Sequence, residues 1–313
     1  MNEKRTQMDA WVLAGPTASG KTALSLALAR RFGCEILCMD SMQIYRRMNI
    51  GTAKPTAEER AAVPHHLLDI ADPGDAFSVS DYAAAAQEAA REIIARGRRP
   101  LFVGGTGFYL RALRQDLTLG STGADPALRE RLEAEAAAPG GKEALWERLR
   151  AADPVTAERL HRNDSRRVIR ALEVLAVTGE PLSAQHAEPD SGPFRCRVAV
   201  LNMDRERLYE RIDRRVTQML EQGLEAEVSG LLASGVSPAC QAMQGIGYKE
   251  WLPYFAGERT AEETAALIRQ NTRHYAKRQL TWFRREPGAC WTDALSPDAG
   301  ERLAEFFTRG VEN

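Results

Sequence analysis

Gly15-Pro16-Thr17-Ala18-Ser19-Gly20-Lys21-Thr22 is the stretch that decides the fold. It satisfies G-x-x-x-x-G-K-[ST], it follows the apolar run Trp11-Val12-Leu13-Ala14, and it leads into the helical pattern Ala23-Leu24-Ser25-Leu26-Ala27-Leu28-Ala29. Strand, glycine loop and helix in that order are the context a phosphate-binding loop requires. Gly15 and Gly20 let bare backbone N–H groups, including those around Pro16, Thr17, Ala18 and Ser19, curl about phosphate oxygens. The helix N-terminus adds a partial positive charge, Lys21 a mobile full one, and Thr22 a hydroxyl for Mg²⁺. Such a loop fixes a phosphate without choosing between a nucleoside triphosphate and a plain diphosphate.

The rest of the chain frames that loop. With 313 residues and 44% hydrophobic content, it can bury a large core and is expected to carry one large domain plus a smaller one. The opening Met1-Asn2-Glu3-Lys4-Arg5 holds no apolar signal segment, and no run of 18 apolar residues occurs, so a cytoplasmic, membrane-free protein is expected. Five scattered cysteines form no C-x-x-C pair and no zinc spacing, which points to reduced thiols. A formal net charge of −1 means that any nucleic acid must be drawn by local basic patches.

Cys34 to Met39 reads as a second strand running into Asp40-Ser41-Met42-Gln43-Ile44-Tyr45. An aspartate leaving a strand beside the phosphate loop lies where open α/β sheets keep their ligands. It could hold Mg²⁺, act as a general base, or merely cap a turn. Gln43 and Tyr45 suit a flat, hydrogen-bonding ligand such as a nucleobase. Residues 48–69 read as a long irregular segment, in which adjacent His65 and His66 are assigned a structural role because neighbours on an extended chain point opposite ways. Asp81 to Arg96 is an alanine-rich amphipathic helix ended by Gly97, and Pro100-Leu101-Phe102-Val103 is a third strand. That strand ends in Gly104-Gly105-Thr106-Gly107, where a motor-type ATPase would carry acidic residues.

From about residue 119 the pattern turns helical, with four short helices over Asp125 to Ala137, Lys142 to Ala151, Val155 to His161 and Ser165 to Val177. The expected division is a core of residues 1–118 and 196–313 with a helical insertion at 119–195. Strand character returns at Arg197 to Met203. The helix that follows places Arg211 and Arg215 four apart on one face, a spacing that suits two guanidiniums on one phosphate group and leaves open which of them meets it. Arg269, Arg273, Lys277, Arg278, Arg284 and Arg285 then form a basic patch interleaved with Tyr275, Trp282 and Phe283, the composition of a nucleic-acid face.

Together these motifs, with Gly51-Thr52-Ala53-Lys54-Pro55, Arg166 to Glu173, Gly245 to Glu250 and Tyr275 to Arg284, resemble the tRNA dimethylallyltransferases, in family order from residue 11 to about 285. The resemblance is to the bacterial form. Departures are small: Phe108 stands where leucine is usual, and Arg166 where glutamine is common. The resemblance implies a phosphate-loop NTPase-like α/β parallel-sheet core with an all-helical insertion domain. It implies transfer of a dimethylallyl group from dimethylallyl diphosphate, with Mg²⁺, to the exocyclic amine of the adenosine 3′ of the anticodon. Asp40, Thr106 and Lys21 would be catalytic, with Gly15 to Thr22, Arg211 and Arg215 on the diphosphate. Asp40, Ser41, Met42, Gln43, Thr106, Arg129, Arg166, Arg167, Val168, Ile169, Arg170, Lys249, Arg273, Lys277 and Arg278 would lie against the tRNA anticodon arm. A monomer is expected. A small-molecule kinase, a nucleotide-gated RNA-binding module without chemistry, and a transferase acting on free adenine nucleotides are the rivals.

Overall fold

The computed structural model describes residues 7–115, 125–184 and 190–309. Its chain divides into two compact units, Met1–Arg114 with Gly192–Asn313, and Gln115–Ser191. The boundary expected at 118–119 lies outside the described residues.

In the larger unit the order is β1 Met8–Ala14, α1 Lys21–Phe32, β2 Cys34–Met39, α2 Ala57–Ala62, β3 His65–His66, α3 Val79–Ala95, β4 Arg99–Gly104 and α4 Gly107–Arg114. The smaller unit holds α5 Pro126–Ala137, α6 Gly141–Ala152, α7 Pro154–Arg159 and α8 Ser165–Thr178. The larger unit resumes with β5 Phe194–Asn202, α9 Arg205–Glu221, α10 Leu224–Ala233, α11 Trp251–Phe255, α12 Ala261–Phe283, β6 Cys290–Asp293 and α13 Ala299–Thr308.

The strands form one six-stranded sheet in the order β3-β2-β4-β1-β5-β6, parallel at every pairing among the described residues. Its central strands are nearly all apolar because both faces are covered: β2 is buried at all six positions. Alternation along β1 sorts the two faces. Ala10, Val12 and Ala14 join Tyr82, Ala90 and Ile93 of α3 with Leu110 and Leu113 of α4, whereas Trp11 and Leu13 join Leu28 of α1 and Leu303 and Phe307 of α13. On the α13 side the Trp11 ring stacks on Phe307, 4.8 Å between centroids.

Helix ends follow from local chemistry. Ser78 and Asp81 form a reciprocal capping box at the start of α3, as do Thr260 and Glu263 for α12. Asp81 is therefore the third helical residue, and α3 begins two residues earlier than periodicity alone suggests. The segment expected to be irregular contains α2 and the edge strand β3, whose His66 Nε2 lies 2.7 Å from the Glu35 carboxylate. The five cysteines are free thiols, with Cys34 and Cys38 buried in β2. No helix of the described residues is long and apolar enough to cross a membrane.

The smaller unit has a core of its own, built from Leu132, Leu145, Leu149, Val168, Ile169 and Leu172. Beside this core Glu173 is 0% exposed. Arg129 Nη2 and Arg170 Nη1 both donate to its Oε2, at 2.6 and 2.8 Å, and the Asp125 N–H donates to Oε1. Burial alone would raise this carboxyl's pKa, and the two guanidinium hydrogen bonds outweigh it and hold the group below the usual range.

Candidate active site at the carboxyl ends of the sheet

Register brings the site together. Ala14 pairs with Gly104 across β1 and β4, and Met39 pairs with Gly104 across β2 and β4. Three strands therefore end on one line, and the residues just past it, Gly15, Asp40 and Gly105, leave the sheet side by side. The approach is close enough to demand glycine: a Cβ on Gly104 would stand 2.0 Å from the Met39 carbonyl oxygen.

The phosphate loop has the backbone its function needs. Gly15, Ala18 and Gly20 take φ of 152°, 63° and 92°, which curls the chain from β1 into α1. Lys21 Nζ donates to the carbonyls of Gly15 and Pro16 at 3.0 and 2.7 Å. Burial, then the nearby charge of Arg215, push its pKa down to about 7, against a smaller upward pull from Asp40. Thr22 is exposed on the first turn of α1.

Helix α9 supplies two more cations. Asp204 caps it by accepting from the Glu206 and Arg207 N–H groups. Two turns on, Arg211 Nε donates to the Ala18 carbonyl at 2.8 Å, and its Nη2 lies 3.5 Å from where a Cβ on Gly20 would be. Arg215 is pulled below its ordinary proton affinity by burial; Asp40 opposes this and Arg211 adds to it. Lys21, Arg211 and Arg215 thus crowd one loop, at an electrostatic cost that a multiply charged anion relieves.

At the ends of the other two strands, Asp40 Oδ1 accepts from the Met42 N–H at 2.9 Å. Thr106 Oγ1 accepts from the Ser41 N–H at 3.1 Å and is 3.5 Å from the Ser41 hydroxyl. Thr106 therefore holds the peptide just beyond Asp40, not its carboxylate. The loop after Asp40 is braced from below. Gln43 Nε2 donates to the Thr52 and Ala53 carbonyls, and Gln43 Oε1 accepts from the Cys38 thiol. Lys54, buried, donates to the Tyr45 carbonyl and to Asp69 Oδ1. The Glu227 carboxylate of α10 accepts the N–H groups of Asn49, Ile50 and Gly51 and the Tyr248 hydroxyl.

Several sequence expectations change here. Tyr45, read as a ring for a flat ligand, is wholly buried. Gln43 spends both amide hydrogens on the loop. Val168 and Ile169, expected against tRNA, are core residues of the smaller unit, because they fall on the apolar stripe of α8. Arg129 and Arg170 are paired to Glu173, while Arg166, Arg167 and Lys249 are exposed. On α12, Arg273 turns inward: it pairs with Asp213 and lies 5.4 Å over the Tyr209 ring of α9. Arg269 donates to the Thr217 hydroxyl of α9 at 3.1 Å. Phe283, expected as a stacking ring, is fully buried, whereas Lys277, Arg278, Arg284 and Arg285 are exposed.

Two residues of the site escaped the sequence reading, Glu227 and Gln279. Gln279 had a signal: it is a polar residue on the Ala276, Gln279, Leu280, Phe283 stripe of α12 and is 5% exposed. Glu227 had none, since its partners lie far away in sequence.

A family model described as IPP transferase matches residues 43–286, and one described as isopentenyl transferase matches residues 8–70. The tRNA dimethylallyltransferase 1 of Trichlorobacter lovleyi is 51% identical over 287 residues, covering 90% of this chain and 92% of that protein. The chain belongs to the tRNA dimethylallyltransferase family. Among solved structures, the full-length tRNA isopentenylpyrophosphate transferase of Bacillus halodurans is 43% identical with a TM-score of 0.71, covering 96% of this chain and 95% of that one. A eukaryotic dimethylallyltransferase acting on tRNA gives a TM-score of 0.81 at 29% identity, covering 96% and 78%. Membership of this family makes the chain a prenyltransferase and sets aside the kinase and the non-catalytic module.

Proposed function

We propose that this enzyme transfers a dimethylallyl group from dimethylallyl diphosphate to N6 of the adenosine 3′-adjacent to the anticodon of tRNA, releasing diphosphate. The observation that carries this reading is the crowding of Lys21, Arg211 and Arg215 about a phosphate loop, one strand-end away from Asp40. The loop's N–H groups other than those of Thr17 and Ser19, which are bonded to Gln279 and to the Pro16 carbonyl, hold the diphosphate with the three cations and stabilise the charge that collects on it as the allylic C–O bond breaks and its electron pair leaves. N6 then forms the C–N bond at the same carbon. An aromatic amine is a weak nucleophile, its lone pair being delocalised into the ring, so removal of its proton assists. Asp40 takes that proton, its carboxylate oriented by Met42 and the following peptide by Thr106.

Thr22 fits a magnesium ion: an exposed hydroxyl at the loop supplies one oxygen and the diphosphate others, the arrangement this ion favours over an all-protein cage. Bound there, Mg²⁺ would add charge neutralisation on the leaving group. The half-buried side chains of Ser41 and Met42 would border the flipped base. Arg166 and Arg167 of the helical insertion, with Lys249, Lys277 and Arg278, would contact the RNA backbone of the anticodon arm. The enzyme would work as a monomer.

The test is incubation of the protein with Mg²⁺, labelled dimethylallyl diphosphate and an anticodon stem-loop bearing the target adenosine, beside Asp40→Asn and a stem-loop with guanosine at that position. Label enters only the adenosine stem-loop with the unaltered protein, and Asp40→Asn binds both substrates while transferring about 10²- to 10⁴-fold more slowly. Label entering AMP in preference to the stem-loop overturns the choice of acceptor.

A further inference from the structure

Gln279 makes a span that neither the phosphate loop nor the acceptor side provides for itself. Its Oε1 accepts the Thr17 N–H at 2.9 Å, inside the phosphate loop. Its Nε2 donates to the Gly105 carbonyl at 2.9 Å, in the peptide that precedes Thr106. The two contacts come from one planar amide that is buried and fixed in orientation by α12. Gly105 leaves no slack in this bridge, because a Cβ there would stand 2.0 Å from Nε2 and 3.1 Å from the Gly15 carbonyl. The chain of contacts therefore runs from Thr17 through Gln279 to Gly105 and Thr106, and from Thr106 to the Ser41 peptide beside Asp40.

We propose that Gln279 is a positioning residue that sets the spacing between the diphosphate held by the phosphate loop and the amine presented at Asp40 and Thr106, without touching either substrate. The role rests on the transferase reading and extends it. Polarity is essential to it: the bridge needs an acceptor for Thr17 and a donor for Gly105 on one group, and only an uncharged amide offers both at this reach. A methionine fills the same volume with neither. A glutamate keeps the acceptor, sets an oxygen against the Gly105 carbonyl, and brings a negative charge to a loop that binds anions. Displacement of a reacting pair by about 1 Å costs on the order of 100-fold in rate, so the expected loss lies in turnover.

The test compares the full chain with Gln279→Met, Gln279→Glu, Gly105→Ala and the Gly105→Ala/Gln279→Met pair. Three quantities are read: the Kd for dimethylallyl diphosphate, the Kd for the stem-loop, and kcat. Gln279→Met is expected to lose on the order of 100-fold in kcat while stem-loop affinity, set by exposed cations, stays within about threefold. Gln279→Glu is expected to bind the diphosphate more weakly than Gln279→Met. Gly105→Ala, which forces the amide aside, is expected to repeat the Gln279→Met loss, and the double variant to be no worse than either single one. Wild-type kcat in Gln279→Met, losses that multiply in the double variant, or a loss confined to stem-loop affinity would each overturn the role. Should Gln279→Met not fold, Gln279→Glu, which keeps the Thr17 contact, carries the same comparison. If the unaltered protein transfers nothing, the transferase reading fails in that control, and the weaker diphosphate binding of Gln279→Glu than of Gln279→Met still tests whether this amide sits against the phosphate loop.

Discussion

Lys21 gives the sharpest prediction, because burial and Arg215 bring its pKa down to about 7 in the free protein. Below that pH the ammonium is present; above it the neutral amine dominates, and binding a diphosphate then requires a proton to be taken up. At pH 8, about one Lys21 in eleven carries its proton, against about ten in eleven at pH 6, from the ordinary titration relation. If the diphosphate selects the protonated form, the Lys21 contribution to affinity weakens about tenfold between those values, or about 1.4 kcal/mol. The ligand titrates over the same range, so the comparison needs a variant with a permanent cation. Lys21→Arg supplies it, since a guanidinium holds its proton throughout. The assay is calorimetric titration with dimethylallyl diphosphate at several pH values, each in two buffers of different ionisation enthalpy. Wild type should take up close to one proton more than Lys21→Arg at pH 8 and close to none more at pH 6. Equal proton uptake by the two proteins at pH 8, with parallel pH profiles of Kd, would refute the reasoning by showing that the Lys21 charge is not what burial withholds.

The remaining predictions concern packing and charge. Glu173→Ala removes the shared partner of Arg129 and Arg170 and should cost about 2 to 3 kcal/mol in urea unfolding, less than a fully enclosed pair because both guanidiniums reach solvent. Its lowered carboxyl pKa means that the wild-type contribution is present above the ordinary glutamate range and is lost as pH falls through the folded value; Glu173→Gln should flatten stability below about pH 4.5. Gly107→Ala puts a Cβ 2.2 Å from the Trp282 ring and should lose about 1 to 3 kcal/mol by overpacking, read as a lower thermal midpoint. Lys277→Ala should weaken stem-loop binding and reduce the slope of log K against log salt by about 1, whereas Arg273→Ala should chiefly lower the thermal midpoint.

How much the sequence discloses depends on whether a feature is local. The phosphate loop, β2 at Cys34–Met39 and the turn at Asp40 were legible because each is a contiguous pattern with its own physical signature. β3 was not, since two residues have no periodicity, and β6 has only four. β5 begins at Phe194 although its apolar run reads from Arg197, because Arg195, paired with Asp9, and Arg197, which donates to the Phe306 and Phe307 carbonyls, interrupt the pattern while the backbone pairing with β1 continues. Spacing places Arg129 and Arg170 on helices, but it cannot separate an arginine facing a phosphate from one paired with a buried glutamate seen only in the fold. Gln279 and Glu227 act through backbone groups at Thr17, Gly105 and Asn49 to Gly51, and backbone partners leave no residue-type pattern to find.

The same distinction explains α12. Read as sequence, Arg269, Arg273 and Lys277 form one cationic stripe at four-residue spacing, and a stripe suggests one ligand. In the fold the helix is divided along its length. Arg269 and Arg273 bind it to α9, the helix that carries Arg211 and Arg215; Gln279 binds it to the phosphate loop and to Gly105; Lys277 and Arg278 face solvent. A charged pair such as Arg273 with Asp213 contributes little when exposed and more when half-buried and backed by the Tyr209 ring, so two of the three cations serve the packing of α12 on α9. In the proposed RNA role, Lys277 and Arg278 are the cations this stretch of α12 leaves free to meet a phosphate backbone. Helix α12 thus joins α9, the phosphate loop and the end of β4 through side chains of its own inner face.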